Sequence, residues 1–342
     1  MNKKGICVAG NMIVDILYPV TGLPKPGELT SIEEGITRTT GGALCNVIGD
    51  LALMDPCLPL IALGRVGTDG EGDYVLQTLK RYRNIDLSMI KREGKTSFTA
   101  VMSDSISKER TFFHYRGANA RFCEDDIDWE KINAHFLHIG YILLLDALDS
   151  EDHEYGTKMA RLLCHAQERG IKTSLDVVSE TGDRFKRLVP PALKYTDYCI
   201  INEVEAGQVT GIALRDDAGK LITSHVPRAL EEIKKSGVSQ WAVIHCPEGG
   251  YGLDSAARFS ESAAINVPPD YIKGKVGAGD AFCAGVIYAA SQGGSLQEGL
   301  DLGNAAAVAS LSMPGSTEGM LPVEELKKLK TRFKERFIET KP

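Results

Sequence analysis

The chain has 342 residues and a formal net charge of −7, with 43% hydrophobic and 25% charged residues. That is the composition of an ordinary globular domain, and the absence of a basic block argues against a nucleic-acid partner. No run approaches the roughly 20 apolar residues of a membrane span, so no membrane partner is expected. In chain order the pattern predicts a first buried strand at residues 5–10, where Asn11 and Asp15 interrupt the apolar run before a secretory signal could form. A helix is predicted at 46–54, a strand at 58–63 and a helix at 73–81. Residues 96–102 and 110–115 read as a hairpin around a polar turn. A very apolar strand at 138–145 precedes a helix at 153–169 that stops at Gly170. Strands follow at 172–177, 198–201 and 241–245, then helices at 281–290 and 302–311 and a charged, solvated helix from 323 to 341. This alternation predicts a single α/β domain over 1–342, a doubly wound and mostly parallel sheet flanked by helices. Two stretches break the alternation, the Pro- and Gly-rich segment 12–40 and the segment 93–120, and they read equally as a small β-sheet lid or as two ordinary surface hairpins. Eight cysteines without any C-x-x-C pair fit a reducing cytoplasm.

Glycine is in excess, 35 of 342 residues, and its placement carries the chemistry. In Gly274-Lys-Val-Gly-Ala-Gly-Asp280, glycines at 277 and 279 precede a small-residue helix. Such a turn points backbone N–H groups of Gly277, Ala278 and Gly279 at an anion. Asp280 at the same end is either a cap or, beside a phosphate, a general base for a hydroxyl nucleophile. Gly41-Gly42 followed by Asn46 brings backbone close to a polar ligand. Gly64, Gly67 and Gly70 mark a strand-to-helix turn. Asn202 and Glu205 share one helical face after a strand, as a helix cap or as oxygen ligands for a hydrated Mg²⁺. Gly94-Lys95-Thr96 lacks the earlier glycine of a phosphate-binding P-loop, and residues 5–15 lack a dinucleotide fingerprint.

Taken in order along nearly the whole chain, these segments resemble the ribokinase-like carbohydrate kinases, the phosphofructokinase B family. Asp15 follows the first strand, then Gly41-Gly42 with Asn46, and Arg110-Thr-Phe-Phe-His-Tyr-Arg-Gly-Ala-Asn119 resembles the second lid strand and its exit. Asn202–Glu205 matches N-x-x-E, Gly277–Asp280 matches the anion hole and base, and Asn304 resembles the nucleotide end. The resemblance implies ATP-dependent phosphorylation of a hydroxyl, primary by expectation, on a free sugar or nucleoside. Asp280 would be the base, and Asp15, Gly41, Gly42, Asn46, Asn119 and Asp146 would face the substrate. Gly250, Lys275 and Asn304 would face the nucleotide, and Asn202 and Glu205 would hold Mg²⁺ through water. It also implies a homodimer through the lid.

Four departures qualify the resemblance. Gly274 and Lys275 replace an Asp-Thr that helps bind a monovalent cation, so Lys275 is expected to supply that charge. Asp176-Val-Val-Ser-Glu180 lacks the Asn and Arg of D-x-N-x-R. Pro247 stands where a glycine is common. Ala43 replaces a lysine, which favours a free sugar over a sugar phosphate; Arg110, Arg116 or Arg121 would supply a clamp in the phosphosugar alternative. A non-catalytic sugar-binding regulator is the alternative from another class.

Overall fold

The computed structural model describes residues 4–107, 109–178 and 184–339, with side chains as far as Phe333. A ten-stranded sheet forms its centre. From one edge its order is Phe259–Ala263, Gly249–Leu253, Trp241–Cys246, Tyr198–Asn202, Lys172–Val177, Phe136–Ile142, Ile6–Gly10, Leu60–Val66 and Ile85–Asp86, with Ile90–Arg92 also against Leu60–Val66. All pairs are parallel except at the hairpin edge, where Gly249–Leu253 runs antiparallel to both neighbours.

Why the strands read as continuous apolar runs is clear from Ile6–Gly10, buried along its whole length. Ile6 and Val8 enter one hydrophobic core, while Cys7 and Ala9 enter the other. A sheet covered on both faces requires this. One face carries the helices Ala43–Met54, Gly70–Leu79, Ala278–Ser291, Leu296–Ser310 and Val323–Glu339. The other carries Lys158–Glu168, Arg184–Leu193, Glu203–Thr210 and Val226–Lys235.

A second, four-stranded sheet has the order Thr37–Gly41, Ile13–Val20, Ser97–Asp104, Arg110–Tyr115. The expected hairpin is its outer pair. Ile13–Val20 lies antiparallel to Thr37–Gly41 but parallel to Ser97–Asp104.

Several expected helix limits move, each for a local reason. The helix expected at 153–169 starts at Lys158, because Glu151–Asp152 and Gly156–Thr157 pair as a short hairpin. Thr157 then caps it, its Oγ1 accepting from Ala160 N at 3.1 Å. The helix expected at 302–311 starts at Leu296, fixed by a capping box between Ser295 and Glu298. The helix expected at 46–54 starts at Ala43, with Gly42 (φ 86°) as its N-cap. The helices Arg184–Leu193 and Val226–Lys235 were not anticipated from the pattern; the first ends over Pro190 and Pro191.

Candidate active site

The carboxyl ends of the central strands face the lid sheet, where ligands bind in open α/β sheets. The helix Ala278–Ser291 points its N-terminus into this space. Gly277 is its N-cap at φ 79°, in the left-handed region, and a Cβ there would lie 2.7–2.9 Å from Ser316. Only glycine fits that turn. No side chain caps the helix, so Asp280 is not a capping residue. Its carboxylate instead accepts from Asn46 Nδ2 at 2.7 Å and from the Tyr141 hydroxyl at 3.1 and 3.2 Å. Asn46 in turn accepts from Ser316 Oγ at 2.7 Å. Asp280 is 7% exposed. Burial pushes its pKa up to about 6, opposed by the bonds from Asn46 and Tyr141 and aided by the charge of Asp15. A carboxylate tuned toward neutrality and aimed beside free helix N–H groups can take a proton from a hydroxyl.

The lid supplies a polar row. Thr39, Asp15, Thr99 and His114 stand opposite one another on adjacent strands. Thr99 Oγ1 and His114 Nδ1 lie 3.1 Å apart. Burial raises the pKa of Asp15, and the Thr99 hydroxyl lowers it. Gly41 leaves the space beside Asp15 that any side chain would fill.

Beyond Asp280 a cavity of about 160 Å³ is lined by Tyr141, Asp176, Glu205, His245, Lys275 and the 277–279 turn, among others. Asn202 Oδ1 accepts from Val204 N and Glu205 N, both at 2.9 Å, and Glu205 Oε2 accepts from Asn202 N at 2.9 Å. This is a reciprocal capping box, so both residues hold the helix Glu203–Thr210. Burial, then the charges of Glu205 and Asp280, raise the pKa of Asp176 well above the ordinary range. His245 stacks on Phe282 and burial lowers its pKa to about 4, so it is neutral. A larger cleft of about 740 Å³ lies elsewhere, between the helices that contain Tyr288, Glu298 and Lys327, and holds none of these groups. The chemistry, not the size, identifies the site.

The sequence pattern of the pfkB family carbohydrate kinases matches residues 3–323. The chain belongs to this family. It is similar to an ATP-dependent ribose-1-phosphate kinase of Halopiger xanaduensis, 26% identical over 90% of this chain and 92% of that protein. A 5-dehydro-2-deoxygluconokinase of Clostridium perfringens is 23% identical over 98% of this chain and 96% of its own. In fold it is similar to the Arabidopsis thaliana ribokinase solved with ribose and ATP, at a TM-score of 0.78 and 20% identity, over 96% of this chain and 98% of that one. As a pfkB carbohydrate kinase it uses ATP. Among the described residues no helix is long and apolar enough to cross a membrane.

Four residues expected to touch ligands in this kinase have partners within the protein. Asn119 is fully buried, donates to Met12 O at 3.0 Å and accepts from Met12 N at 3.2 Å. Its amide acts as a rung between the lid exit and the link that follows the first strand. Gly250 turns its bare Cα to the Phe282 ring, where a Cβ would sit 2.7 Å away. Asn304 donates to Ser262 O at 2.8 Å and Ala263 O at 3.3 Å, which ties it to the sheet edge. Asp146 is half exposed and pairs with Arg116 at 3.0 Å. Lys275 is exposed at the cavity wall. Ser179 and Glu180 of the departed D-x-N-x-R pattern lie outside the described residues. Tyr141, Ser316 and His245 were missed. Tyr141 sits inside the apolar run HIGYILLL, where nothing sets it apart from a tyrosine that only packs.

Proposed function

We propose that this kinase transfers the ATP γ-phosphoryl group to a primary hydroxyl of a free sugar or nucleoside, with Asp280 as general base. The observation that carries this reading is the buried Asp280, held by Asn46 and Tyr141 beside the Gly277–Gly279 turn. The hydroxyl proton passes to Asp280 as the oxygen attacks phosphorus in line and the bond to the ADP oxygen breaks. N–H groups of Gly277, Ala278 and Gly279 are preorganised donors for the charge that develops. Asp15 and its row on the lid would bind substrate hydroxyls, and the lid would exclude competing water.

Buried Asp176 and Glu205 line the cavity beside Asp280, a concentration of oxygen atoms that fits a hydrated Mg²⁺. No three acidic, His or Cys side chains among the described residues are grouped to hold a metal. Binding through water, with Asn202 and Glu205 as the nearest helix-borne oxygens, fits that arrangement. Mg²⁺ would neutralise phosphate charge during transfer. A Cβ at Gly274 would lie 2.8–2.9 Å from the carbonyl oxygens of Pro314 and Met313. A carboxylate side chain does not fit there, which favours Lys275 as the local positive charge in place of a monovalent cation.

A second reading is favoured by one observation. Arg116 and Arg184 both donate to the Leu143 carbonyl, at 2.6 and 3.1 Å, at the strand end next to Tyr141. Paired guanidinium groups suit a phosphate, and the Halopiger relative is named for ribose-1-phosphate. The test is an ATP-consumption screen over sugars, nucleosides and sugar phosphates, with Asp280→Asn as the blank. Turnover of free sugars or nucleosides supports the first reading. Turnover of sugar phosphates alone, lost in Arg116→Gln, supports the second. No ATP-dependent transfer to any of them would leave a binding protein on this fold.

A further inference from the structure

Among the described residues only three non-glycine residues have positive φ: Tyr141 at 64°, Leu143 at 85° and Ala257 at 57°. Two of the three form the turn behind Asp280. Bulky side chains avoid this region, and such strain persists where the surroundings over-determine it. Here they do. Asp149 accepts from Leu143 N and Leu145 N, both at 3.2 Å, and the guanidinium groups of Arg116 and Arg184 hold the Leu143 carbonyl. The turn ends one of the central strands, and its product is the Tyr141 hydroxyl spread across both oxygens of Asp280.

A carboxylate offers about four acceptor positions. Asn46 and Tyr141 occupy those of Oδ2, and Tyr141 alone engages Oδ1. We infer that Tyr141 is a positioning residue that fixes the rotamer of Asp280, keeps it ionised near neutrality and leaves Oδ1 as the atom that receives the substrate proton. The inference rests on Asp280 being the base. A hydrogen bond to the charged form favours that form, so the phenol works against the burial that raises this carboxyl.

Other titratable groups face Asp280 too. Asp15 comes from the lid, and Asp50 and Cys45 from the first helix. Asp176 comes from a strand end and Cys283 from the helix of Asp280 itself. Glu205, His245 and Lys275 line the same cavity. Within hydrogen-bonding distance, however, the side chains that meet the Asp280 carboxylate are Asn46 and Tyr141.

The test needs no substrate. Carboxyl-¹³C aspartate labelling follows the Asp280 midpoint by NMR, assigned by its loss in Asp280→Asn. In Tyr141→Phe the midpoint should rise by roughly one pH unit, the worth of one bond to a charged group. In the unmutated protein, the ring carbon bearing the Tyr141 hydroxyl should shift with the same midpoint as Asp280. An unchanged midpoint in Tyr141→Phe, or a Tyr141 signal flat between pH 4 and 8 in the unmutated protein, overturns the inference. If both NMR results hold but Asp280→Asn retains turnover, the base assignment fails and the positioning role stands.

Discussion

Asn46 and Asp280 stand 234 positions apart in the chain and meet at 2.7 Å. The amide could face either way, and the ionised carboxylate decides it, because it can only accept: Nδ2 faces Asp280, and the Ser316 hydroxyl donates to the outward Oδ1. Ser316→Ala leaves a buried carbonyl oxygen without its donor and frees the Asn46 side chain on that side. Turnover should fall about tenfold and stability by roughly 1 kcal/mol. Steady-state kinetics and urea melts check the pair; a variant that loses stability alone would place Ser316 outside the positioning of Asp280.

The raised Asp280 carboxyl has two consequences of opposite use. As a base it must be ionised, so kcat/KM should fall on the acid side with a midpoint near 6. For stability the folded pKa, about 6, exceeds the 3.8 of an ordinary aspartate. The folded state therefore binds the proton more readily, and stability falls as pH rises between those values. Asp280→Asn should lower kcat by roughly 10²–10⁴-fold with ATP binding retained. The same variant should be more stable than the parent at pH 8, by on the order of 2–3 kcal/mol, with the gain vanishing near pH 4. Melting temperatures at the two pH values would show this, and equal differences at both would contradict it.

Lys275 makes a prediction about salt. Turnover should be the same in K⁺ and in tetramethylammonium at matched ionic strength. Lys275→Ala should reduce it, chiefly through KM for ATP. A clear activation of the parent protein by K⁺ would remove this role from Lys275.

Asn119 offers the contrast between a rung and a ligand contact. Asn119→Leu breaks both bonds to Met12 and leaves two buried backbone groups without partners. The expected result is a loss of roughly 2–4 kcal/mol in denaturant melts. KM for the acceptor should stay within about threefold where the protein is folded. A selective rise in KM with unchanged stability would return Asn119 to the substrate.

Particular residues show what was legible before the structure. The strand Lys172–Val177 coincides with its expected limits, because Gly170 and a polar stretch bracket a short apolar run. Asp280, Asn46 and the 277–279 turn were legible because glycine placement and residue type both point to an anion. Tyr141 was not, since nothing local tells a strand-end tyrosine that packs from one whose hydroxyl reaches a carboxylate 139 positions away. The packing of Gly250 against Phe282 was not legible for a related reason. A glycine beside a ligand and one beneath a phenylalanine ring look alike in a sequence.

The parallel pairing of Ile13–Val20 with Ser97–Asp104 has a consequence for how the chain assembles. The first lid strand is synthesised early, yet its central partner comes only after two helices and four strands have intervened. Contacts between such distant segments form late, because the closure entropy must be met first. On the ribosome Ile13–Val20 would wait with only Thr37–Gly41 beside it, a bare two-stranded ribbon that is marginal in water. Truncations ending before residue 97 should expose that ribbon to protease, and extension past Tyr115 should protect it.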